Sequence, residues 1–84
     1  MNTEIITQQT PDPLTITMLR LHIGGTDRLQ ELLGLLPDSF YRMPSSRQHM
    51  AYEWMLNKAR QISHQSGTIN LVELAEIGAE ACNA

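Results

Sequence analysis

The sequence is poor in the residues that build most chemical sites. A single cysteine, Cys82, excludes an intrachain disulfide framework and fits a reducing compartment, so a cytoplasmic location is expected. No apolar run approaches the ~18 residues of a membrane span. No basic patch followed by a hydrophobic run opens the chain, so no secretory signal is expected either. There is no Gly-x-Ser-x-Gly elbow, and Gly24-Gly25 lacks the further glycines and the lysine of a phosphate loop. Neither Cys-x-x-Cys nor His-x-x-x-His occurs, and there is no internal repeat or low-complexity tract.

Charge of one sign is also scarce. Six basic residues stand against nine acidic ones, a net charge of -3. All six lie between Arg20 and Arg60, where four acids oppose them and leave +2; residues 1–19 carry -2 and residues 61–84 carry -3. A +2 block is a weak basis for phosphate neutralisation.

With 84 residues, 42% of them hydrophobic, the chain makes one small globular domain. Area scaling gives about 130 kcal/mol of apolar burial, against about 126 kcal/mol for ordering the chain. The near-cancellation leaves a monomer marginal, and a partner or a second copy would help it.

The pattern predicts an all-α domain over residues 12–84, a bundle of three to four helices at about 13–23, 27–36, 46–65 and 71–82. A flexible arm over residues 1–11 precedes it, with a short strand at Glu4-Ile5-Ile6-Thr7 as the alternative. Asp12-Pro13 opens the first helix as N-cap and first-turn proline, and Gly24-Gly25 closes it. Leu14, Met18 and Leu21 make a helical stripe there. Leu14, Ile16 and Met18 also alternate as a strand would, so cap and length decide for a helix buried almost all round. Asp27 with Gln30 reads as a capping box for the second helix, Thr26 being the rival cap. Leu29, Leu32, Leu33 and Leu36 form its apolar side, and Pro37 stops it. Residues 38–44 are a connector with room for one short turn.

The longest helix starts at Ser45, boxed by Gln48, and ends with Gly67 as left-handed cap. Ala51, Met55, Ala59 and Ile62 gather on one side, flanked by Met50 and Trp54, while His49, Glu53, Asn57, Arg60 and His64 gather on the other. Asn70 caps the last helix, Glu73 answers it, and Ile69 staples to Leu74. Leu71, Leu74, Ala75, Gly78 and Cys82 share its inner face, opposite Glu73, Glu76 and Glu80.

Catalysis finds no support. Cys82 has Glu80 nearby, and negative charge disfavours a thiolate. His49 and Glu53 stand one turn apart, the spacing of an ordinary helix-surface pair, while His64 is roughly 22 Å further along the axis. The chain is therefore expected to be non-catalytic, with no metal and no cofactor.

What remains is surface recognition. Every aromatic residue falls between Phe40 and Trp54, interleaved with methionines, and aromatic and Met side chains are enriched at interface cores. Tyr52 and Leu56 widen the apolar arc of the longest helix to about 200°, more than one neighbour covers. Phe40, Tyr41, Met43, Tyr52, Trp54 and Leu56 are therefore the candidate contacts to a partner protein, unless a small bundle wraps the central helix and buries them as core. The function expected is a protein-interaction module, an inhibitor or adaptor of the kind encoded by a phage or mobile element, with homodimerisation as one way to cover the arc. The alternative is a small helix-turn-helix-like DNA-binding regulator built around Gly24-Gly25, with Arg28, Arg42, Arg47, Lys58 and Arg60 on phosphates. Asp27 and Glu31 on its recognition helix, and three glutamates on the last helix, count against nucleic acid.

Overall fold

The computed structural model describes residues 13–65 and 67–83. The N-terminal arm, the alternative strand at residues 4–7 and the Asp12 cap lie outside them. Among the described residues there are five helices and no strand: α1 Pro13–Ile23, α2 Thr26–Leu35, α3 Asp38–Arg42, α4 Ser45–His64 and α5 Leu71–Asn83. The additional element, α3, is the single turn allowed for in the connector. It counts as a helix because Pro37 and Pro44 bracket it: Leu36 and Met43, each preceding a proline, are both extended (φ -76, ψ 146 and φ -70, ψ 153), as the proline ring demands of its predecessor.

The break between α1 and α2 is made by backbone that only glycine adopts at little cost. Gly24 and Gly25 have φ of 113° and 117°, in the region where a Cβ would clash. Their amides both close on the Arg20 carbonyl, at 3.2 and 2.9 Å. Gly25, not Asp27 or Thr26, is the cap residue of α2. Asp27 sits inside the first turn, where its charge complements the helix dipole.

Two further local expectations are corrected. Pro44 caps α4 through its carbonyl, which accepts from Arg47 and Gln48 at 2.9 and 3.0 Å. The Gln48 side chain does not complete a box with Ser45. Its Nε2 turns back to the Met43 and Tyr41 carbonyls at 3.0 and 3.4 Å, tying α4 to the end of α3. The Gly67 amide reaches back to the Ile62 carbonyl at 2.9 Å, and a Cβ there would stand 3.2 Å from Ile62 Cγ2, so close approach favours glycine at this position. At α5 the cap forms as expected, with Asn70 Oδ1 accepting from the Val72 amide at 2.9 Å. Glu73 does not answer it; its carboxylate pairs with Lys58 Nζ at 3.6 Å.

α4 is the central element. α1 packs on one side of it and α5 on the other, α2 bridges α1 and α5, and α3 abuts α5. One core results, in which Leu19, Leu32, Phe40, Met55 and Leu74 are the largest fully buried side chains. On α1 the buried line is Thr15, Leu19 and Ile23. Leu14 and Leu21, expected inside, are exposed; the sides of α1 that meet α4 and α2 are others. On α5 the inner line is Leu71, Leu74, Ala75, Gly78 and Ala81. Cys82 is half-buried at its edge, its thiol directed to the Gly78 carbonyl at 3.7 Å.

Candidate functional site

The aromatic segment divides into an inner and an outer set. Phe40 is fully buried. Its ring meets Tyr41 and Tyr52 edge-on, with centroids 5.1 and 5.5 Å apart, the arrangement the ring quadrupoles favour. Tyr52 and Leu56 are buried against α4's neighbours and Met43 is half-buried. These four side chains belong to the core or its margin. Tyr41 is 50% exposed, but its hydroxyl donates to the Leu33 carbonyl and secures the end of α2. Trp54 is 37% exposed and stands one turn from the equally exposed Met50 on the same face of α4.

This separates two edges of α4 that periodicity leaves equivalent. Ala51, Met55, Ala59 and Ile62 are buried as anticipated, but so are Tyr52 and Leu56, while Met50 and Trp54 face outward. Both edges are apolar in sequence. The Phe40 ring and α1 cover the Tyr52–Leu56 edge, while Met50 stays 37% exposed.

Burial also sets the tyrosine chemistry. The Tyr52 phenol is raised above its ordinary value of 10, first by burial and then by neighbouring Tyr41; the Tyr41 phenol is raised by burial and by Asp38. A phenol whose folded pKa is raised stabilises the fold fully below its unfolded pKa, and that contribution is lost as pH rises through the folded value. Folding stability should therefore be flat near neutrality and fall above pH of about 10. Tyr52→Phe should flatten that alkaline fall in urea titrations at stepped pH.

Surface grooves lie between these helices among the described residues. One of about 510 Å³ lies between α2 and the start of α5, lined by Arg28, Glu31, Leu35 and residues 68–72. Its two charges are of opposite sign and its floor is open. A second, about 320 Å³, runs between α4 and α5 and is lined by Trp54, Asn57, Lys58, Gln61 and Ile77. The third, about 290 Å³, lies between α1 and α4.

The cations do not form one face. Lys58 is paired with Glu73, and Arg60 Nη2 lies 3.7 Å from Met18 Sδ. At 100° per residue these two cations stand about 160° apart around α4. Arg28 stacks its stem beside Gly24, Arg42 ends α3, and Arg47 is half-buried in the first turn of α4. His49 Nε2 and Glu53 Oε2 meet at 3.2 Å as a within-helix pair. Among the described residues no three His, Cys, Asp or Glu side chains come together as a metal site, and no helix is long and apolar enough to cross a membrane.

No family model, no curated protein and no solved structure matches the chain.

Proposed function

We propose that the chain is a small, non-catalytic interaction module that acts by occupying a partner protein's surface, in the manner of an inhibitor or adaptor. The observation that carries this reading is the outward placement of Trp54 and Met50 beside the Ile77-lined groove. Tryptophan is the side chain most often found as an energetic anchor in interfaces, and Met is enriched around such anchors. Lys58 and Gln61 at the groove's edge supply the polar rim that surrounds an anchor. The divergent directions of the cations and the acidic first turn of α2 give the DNA-binding alternative no comparable surface.

The test separates recognition from folding, because Trp54 lies outside the core. Trp54→Ala should lower capture of the cognate partner by at least tenfold, about 1.4 kcal/mol or more. Its helical circular dichroism should match the parent chain. Undiminished capture by a folded Trp54→Ala protein would overturn the reading.

A further inference from the structure

We draw no further inference here: the strongest candidate, the groove between α2 and the start of α5 where exposed Leu35 and Val72 stand beside Arg28 and Glu31, carries charges of both signs, and nothing in the structure shows what covers it.

Discussion

Phe40→Ala is expected to cost about 3–5 kcal/mol of folding stability, the range for emptying a buried aromatic site. A domain of this length has about 4–13 kcal/mol in all, so a urea midpoint should fall by roughly a quarter or more. The size follows from position. Phe40 is the centre of a turn too short to hold itself as a helix, fixed by the prolines at its ends, by what its ring contacts and by the Tyr41 and Gln48 hydrogen bonds. The ring is fully buried, edge-on to Tyr52, and α3 abuts α5. Removing it takes away transfer free energy, leaves a cavity that the bracketing prolines resist closing, and frees the segment that carries the Tyr41 hydroxyl to the end of α2. Trp54→Ala should be far milder in the same titration. A Phe40→Ala protein within about 1 kcal/mol of the parent would place the ring outside the core.

The second large effect is at Gly78. An ideal Cβ there would stand 2.6 Å from Leu36 Cδ2 and 3.2 Å from Met55 Sδ. The first distance is below any real contact, and Leu36 and Met55 are themselves buried. Gly78 thus provides space rather than conformational freedom: it is a helical residue that lets α5 approach Leu36 and α4 closely. Valine at this site should cost about 3 kcal/mol through displaced core side chains. Gly34 is the natural control. It is also helical, but nothing lies within 4 Å of the Cβ it lacks. Gly34→Ala should therefore stabilise the chain by about 0.5–1 kcal/mol through helix propensity alone. Opposite signs at two helical glycines, read from thermal or urea unfolding, would follow from packing; equal shifts would mean that α5 does not press on Leu36.

Most of the helical framework was legible in the chain. The Gly24-Gly25 break, the extended Leu36 and Met43 before prolines, and the Asn70 cap are local effects that need no knowledge of the fold. The polar face of α4 was also readable, from the spacing of His49, Glu53, Asn57, Arg60 and His64. The edges of that helix were not. Met50 and Trp54 flank the apolar centre on one side, Tyr52 and Leu56 on the other, and their side chains are equally apolar. The choice between them is made by where α1 and Phe40 settle, which is a tertiary fact. Leu14 and Leu21 on α1 escaped for the same reason: which stripe of α1 is buried is set by where α4 and α2 pack, and that stripe is Thr15, Leu19 and Ile23. The roles of Gln48 and Glu73 were misassigned because each has two reachable partners, and a nearby carbonyl or Lys58 won over the helix's own cap.

The account turns on Trp54 being an outward anchor while Phe40 and Tyr52 hold the core. Trp54 is the sole tryptophan, so its fluorescence reports on this point without labelling. In the free, folded chain its emission should be that of a part-hydrated indole, open to an aqueous quencher. On titration with the isolated partner protein the emission should shift to shorter wavelength and quenching should fall, in step with complex formation. Full complex formation with unchanged emission and unchanged quenching would contradict the account.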